Sequence, residues 1–146
     1  MRTGRRMALI GILVLAAPVL ARATDADVLL GDGYRDQVHY TTYVRGGITE
    51  ELYTSQDAVD AARAGKPFPD GTVITMDDFR GGKLYRILVM EKRAEWADRS
   101  ASGSWLYAVY EPDGTLNTAE KSAACEACHA SAADRDYVFT RDRMMP

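Results

Sequence analysis

The apolar residues fall into short runs separated by glycine, proline and small polar residues, not into four long stripes of 3.6-residue period. Val38 to Val44 (VHYTTYV) is rich in β-branched and aromatic residues and predicts a strand, ended by Gly46-Gly47. Thr54 or Ser55 can cap a helix running through Ala58, Val59, Ala61 and Ala62 to Gly65. Pro67 and Pro69 stop its continuation. Gly71 to Asp78 and Leu84 to Lys92 predict two strands, with Arg80-Gly81-Gly82-Lys83 as the hairpin turn between them. Small polar residues make 97–103 a loop. Ser104 to Glu111 predicts a fourth strand, turned by Pro112-Asp113-Gly114. The alanine-rich stretch 118–130 suits a helix, and Tyr137 to Thr140 predicts a last short strand. The expected class is α+β: an antiparallel sheet of about four or five strands with a few helices, one of them near the C-terminus.

The N-terminus has a different pattern. Arg2, Arg5 and Arg6 precede an apolar run from Met7 to Leu20, and Ala21-Arg22-Ala23 follows as a small-x-small site. Residues 1–23 are therefore expected to be an export signal, cleaved after Ala23, and residues 24–146 the functional domain. The alternative is a membrane anchor, but the apolar run is short for a span and the cleavage site adjoins it. Residues 24–33 read as a loose lead-in with Gly31 and Gly33 as breakers. No internal repeat or low-complexity segment is evident.

The chain has 146 residues, 47% hydrophobic and 27% charged, which fits one ordinary globular domain. Its net charge is −3, so no basic field points to nucleic acid. The expected signal holds four of the 18 basic residues and no acid. The mature chain then has 14 bases against 21 acids, about −7.

There are two cysteines and two histidines, and three of these four residues fall within one five-residue segment. Cys125-Glu126-Ala127-Cys128-His129 reads CxxCH. On a helical turn, two thiols three positions apart can reach the two vinyl groups of one haem, and the next histidine can bind the iron. Export supports this, because haem is attached covalently outside the bacterial cytoplasm. Three alternatives compete. A redox CxxC wants a strand–CxxC–helix context, and here the preceding segment already reads as helix. A zinc site would have to recruit His39. A plain disulfide across CxxC is sterically poor in a helix.

A sixth iron ligand would have to be His39, Met76, Met90, Met144 or Met145. His39 reads as a sheet histidine between Val38 and Tyr40. Met90 alternates with Leu88 and reads as core packing. Met144 and Met145 lie at a terminus. The iron's second side is therefore expected to be open.

The late position of CxxCH, behind several strands, fits neither small helical cytochromes nor four-helix cytochromes c′. Tyr34-Arg35-Asp36, Gly46-Gly47-Ile48, the run Gly65 to Val73 (GKPFPDGTV), the CxxCH and the tail Asp136-Tyr137-Val138-Phe139-Thr140 resemble the cytochrome P-460 family. The likeness covers roughly residues 34–143 and includes the β-sheet cytochromes c′-beta. It implies a periplasmic protein rich in antiparallel β structure, often a homodimer. It further implies one covalent haem c, a proximal His129 and an open distal side. Some members oxidise hydroxylamine and pass electrons to a redox partner protein; the c′-beta members bind nitric oxide.

The resemblance also suggests site residues. A carboxylate a few residues before CxxCH can accept a proton in hydroxylamine oxidation, and Glu120 has that placement. Phenylalanines cap the iron in c′-beta proteins, which makes Phe68, Phe79, Tyr53 and Tyr85 candidates. Arg80, Arg86 or Lys121 can pair with haem propionates. P-460 enzymes carry a lysine bonded to the porphyrin edge, on the strand after the Asp-Gly-Thr segment. Here that strand continues Val73-Ile74-Thr75-Met76, so Met76 takes the position and packs against the ring instead. Lys66 is the nearest lysine, in a Pro-flanked loop, while Lys83, Lys92 and Lys121 lie elsewhere. Nitric oxide binding therefore ranks first, hydroxylamine oxidation second and simple electron transfer third.

The export signal gives the first prediction. N-terminal sequencing of protein secreted by a bacterial host should begin at Thr24. A chain that starts at Met1 and sediments with membranes would instead establish an anchor.

Overall fold

The computed structural model describes residues 27–145, and the export signal expected for residues 1–23 lies outside them. Five antiparallel strands form one sheet in chain order, β1 Val38–Arg45, β2 Ile48–Thr54, β3 Val73–Arg80, β4 Lys83–Lys92 and β5 Trp105–Tyr110. Helix α1, Gln56–Arg63, joins β2 to β3, and helix α2, Ser122–His129, follows β5. This is the α+β architecture expected. Among the described residues no helix is long and apolar enough to cross a membrane.

Two Gly-Gly turns set the sheet. Gly46 and Gly47 have φ of 55° and 80°, and Gly81 and Gly82 have 55° and 77°. Two consecutive positive φ values define the two-residue hairpin whose twist matches its strands. Arg45 then faces Ile48, and Arg80 faces Lys83. Gly46-Gly47 is thus a hairpin leading into β2, a strand the sequence pattern did not reveal. Adjacent Glu50 and Glu51 obscure its alternation, and both are satisfied only after folding. Arg45 donates to Glu50 at 2.8 Å, and the Tyr53 hydroxyl donates to Glu51 at 2.9 Å.

Other boundaries differ for local reasons. Ser55 is the residue that caps α1, accepting from the Ala58 N–H at 3.3 Å. Helix α2 starts at Ser122, not near 118, because the Asn117 side chain accepts from the N–H groups of Ala119 and Glu120 at 2.9 and 3.0 Å. This side-chain turn competes with helix. The last strand expected at Tyr137 to Thr140 is absent. Asp136 and Tyr137 both take left-handed φ, 54° and 64°, which turns the chain there.

Register sorts the side chains to two faces. Leu52, Met76 and Leu88 are cross-strand neighbours, and Ile74, Met90 and Tyr107 form the next row. This face carries α1, α2 and the C-terminal segment over a core that includes Phe68, Trp105, Val138 and Met144. The alternate residues Tyr53, Val89 and Ala108 build a second core with Val28, Tyr34 and Trp96. Within it Asp77 is fully buried. It accepts from the Tyr34 hydroxyl at 2.5 Å and from Arg35 Nε at 2.7 Å. Burial beside this carboxylate pushes the Tyr34 hydroxyl pKa far above its ordinary value.

Asp77→Ala should leave the Tyr34 hydroxyl without its acceptor and destabilise the fold by about 2 kcal/mol. Tyr34→Phe, which keeps the Arg35 contact, should cost about 1 kcal/mol. Urea unfolding followed by circular dichroism would check the order of the two.

Candidate haem site

The last turns of α2 face the first side of the sheet across a cavity of about 570 Å³. That is the size range of cofactor pockets. Cys125, Cys128 and His129 line it from the helix, and Leu52, Met76 and Leu88 line it from β2, β3 and β4. Both cysteines are free thiols. Cys125 is the fourth residue of α2, and burial pushes its thiol pKa up, with Arg86 opposing. A redox dithiol wants the reverse, a CxxC that opens a helix with a lowered pKa. His39, which a zinc site would have needed, stands exposed on β1. Its Nε2 lies 3.2 Å from Thr42 Oγ1, and its ring lies beside Tyr53.

The orientation of His129 is defined on all sides. Its Nδ1 lies 2.6 Å from the Tyr137 carbonyl oxygen. A carbonyl only accepts, so Nδ1 carries the proton and Nε2 keeps its lone pair. Its ring lies between Tyr107 and Phe139, each with centroid at 4.9 Å. Burial holds its pKa below the ordinary histidine value, so the imidazole is neutral at pH 7. Two free thiols at helical i, i+3 spacing, a neutral imidazole with a directed Nε2 and an apolar wall opposite are the donor set a haem c requires.

One end of the cavity is charged. Glu50 is buried there and paired with Arg45. Its cross-strand neighbour Asp78 is also buried and is held by Arg80 at 3.1 Å and Arg86 at 3.0 Å. Arg86 also pairs with Glu120. Glu120 is therefore half-buried in an ion-pair strip and is not among the cavity-lining residues, whereas Glu50 is. The candidate propionate partners are similarly placed. Arg80 and Arg86 serve Asp78, and Lys121 is exposed and donates to the Thr118 carbonyl at 3.4 Å. Arg45 and Arg143 line the cavity instead, each with its guanidinium 5.9 Å from the Tyr43 ring.

Met76 lines the cavity, half-buried, between Leu52 and Leu88. Among the described residues none of the four lysines does. Lys66 is exposed in its loop, Lys83 is exposed in the hairpin and Lys92 is tied to Asp136. The aromatic cap candidates also lie elsewhere. Phe68 packs edge-on against Trp105, Tyr53 belongs to the opposite face, and Tyr85 is exposed beneath Arg80 at 3.7 Å. Phe79 is half-buried and does not line the cavity. Tyr43, Tyr107 and Phe139 are the aromatic residues at the cavity. Sequence reasoning missed Glu50 and Arg45 because their face depends on the unassigned β2 and its register with β3. Tyr43 sits in the assigned β1, but its approach to the cavity is set by the tertiary fold.

Fold and site together define a c-type haem protein built on an antiparallel sheet. The family model of Cytochrome P460 matches residues 31–140, and the chain belongs to this family. No curated relative matches the chain.

The carbonyl that meets His129 depends on a close approach. A Cβ on Gly103, whose φ is 66°, would lie 2.6 Å from Tyr137 Cε2. Gly103→Ala should therefore destabilise the holoprotein by at least about 1 kcal/mol. Thermal unfolding monitored at the haem absorption band would check it.

Proposed function

We propose that the protein is a periplasmic haem c protein whose five-coordinate iron binds nitric oxide or a related small nitrogen ligand. One observation carries the reading. Met76 with Leu52 and Leu88 gives the cavity an apolar wall, and no described lysine reaches it to form a ring cross-link. A thioether has no N–H with which to make that bond. In this reading Cys125 and Cys128 would hold the haem as thioethers, each S–H adding across one vinyl C=C bond with no net oxidation. His129 Nε2 would bind the iron, its direction held by the Nδ1–H to Tyr137 hydrogen bond. When bound, the haem supplies an iron with one side free for a small neutral ligand. The wall of Leu52, Met76 and Leu88 would present an apolar surface to the bound group.

Hydroxylamine oxidation is the alternative. It is less well supported because Glu120, its expected proton acceptor, is engaged with Arg86. Glu50 is the buried carboxylate that lines the cavity and would have to take that role. Electron transfer as a simple carrier gains from one fact, that Met76 and Met90 both line the cavity and a thioether can bind iron.

Optical spectra of the matured protein, ferric and ferrous, with and without nitric oxide, should show high-spin iron that binds the gas. Tryptic digestion should yield a single haem peptide, the one carrying Cys125 and Cys128. A low-spin ferrous spectrum that Met76→Ala or Met90→Ala converts to high-spin would establish the carrier. A second peptide bonded to the haem through a lysine would establish the enzyme. Haem that extracts into acidic organic solvent would refute covalent attachment.

A further inference from the structure

The tail Asp136-Tyr137-Val138-Phe139-Thr140 stands out in the sequence, yet its first residue touches neither the thiols nor the cavity. The structure gives it a task. We propose that Lys92 and Asp136 are positioning residues that aim the Tyr137 carbonyl at His129 Nδ1 and thereby set the bond between His129 and the haem iron. This inference rests on the haem reading above.

The argument follows the contacts outward from the imidazole. The 2.6 Å hydrogen bond from His129 Nδ1 ends on a carbonyl in an unusual backbone. Asp136 and Tyr137 are consecutive non-glycine residues with left-handed φ. Asp tolerates that region, but a bulky aromatic residue rarely adopts it. Such a conformation persists only where its surroundings over-determine it. Here they do. The Asp136 Oδ2 accepts from the Phe68 N–H at 2.7 Å and from Lys92 Nζ at 2.7 Å. Lys92 Nζ also donates to the Phe68 carbonyl at 3.0 Å, which closes the set. The two charged side chains are each only 16% exposed. Tyr137 itself is held by its N–H to the Ala132 carbonyl at 2.8 Å and by its ring over Gly103.

The anchor is rigid at its far end. Lys92 is the last residue of β4, and its backbone N–H and C=O bond Thr72 and Gly71 at 2.9 and 2.7 Å. The end of β4 is thus connected through one ammonium and one carboxylate to the peptide that accepts from the imidazole. Among the described contacts neither Lys92 nor Asp136 serves the cavity wall. A hydrogen bond at Nδ1 moves electron density onto the ring and strengthens Nε2 as a donor. Its alignment therefore affects the iron–histidine bond and favours the ferric state.

The test uses matured holoprotein and three readouts: the ferrous iron–histidine stretch by resonance Raman, the midpoint potential, and thermal stability. Lys92→Met and Asp136→Ala should lower the stretching frequency and raise the potential. Asp136→Asn, which keeps an acceptor for the Phe68 N–H and tolerates left-handed φ, should restore the wild-type frequency while remaining less stable. A merely structural role would lower stability in all three and leave frequency and potential unchanged, which would overturn the proposal. If Lys92→Met and Asp136→Ala yield no haem-loaded protein, Asp136→Glu decides. Its extra methylene should shift both haem readouts, and wild-type values would overturn the proposal. Wild-type protein is read first. A wild type without covalent haem overturns the haem reading and this inference together. If wild-type iron is six-coordinate, only the open-site part of the reading fails, and the potential decides the inference.

Discussion

The structure depends on the register of β2, β3 and β4. Asp77 and Asp78 are neighbours on one strand, both buried, and they face opposite sides of the sheet. Each has its own cationic partners, Arg35 for Asp77 and Arg80 with Arg86 for Asp78. A slip of one residue would exchange the two faces. Asp77 would then enter the apolar side of the cavity without Arg35, and Met76 would enter the opposite core. The two Gly-Gly hairpins prevent this by closing Arg45 on Ile48 and Arg80 on Lys83. A bulge between Asp78 and Phe79 then shifts β4 by one residue, and the apolar wall of Leu52, Met76 and Leu88 follows from the hairpins and the bulge together.

The same register puts the charges at one end of the cavity. Glu50, Asp78 and Glu120 are met by Arg45, Arg80 and Arg86. Buried carboxylates are tolerable only when paired and hydrogen-bonded. The strip therefore fixes where the cavity stops being apolar, and it holds Glu120 in an ion pair with Arg86. It also leaves Glu50 and Arg45 as an ion pair on the cavity wall.

The opposite side of the cavity is built around one imidazole. The end of α2 delivers His129, β5 supplies Tyr107 and the exit turn supplies Phe139 and the Tyr137 carbonyl. Three chain segments thus converge on a ring that has two torsions of its own. Its neutral state follows from burial, and its tautomer follows from the carbonyl that can only accept. The thiols need less support, because helical spacing alone brings Cys125 and Cys128 to one face.

What was legible in the sequence was local. The CxxCH, a cap at Thr54 or Ser55, the Gly81-Gly82 hairpin and most strands depend on residues within a turn of each other. So does the position of Met76 on β3, two residues past Ile74. Strand β2 was not legible, because Glu50 and Glu51 disguise its alternation until Arg45 and Tyr53 satisfy them. The expected strand at Tyr137 to Thr140 failed because its φ values are imposed by Phe68, Lys92 and Gly103, 68, 44 and 34 residues away from Asp136 and Tyr137. The sequence by itself determined the α+β class, the CxxCH motif and the absence of a lysine on the strand that follows the Asp-Gly-Thr segment. Only the tertiary structure decided that Glu50 and not Glu120 lines the cavity, and which carbonyl receives the His129 proton. Those outcomes depend on pairings between distant segments, which no local pattern encodes.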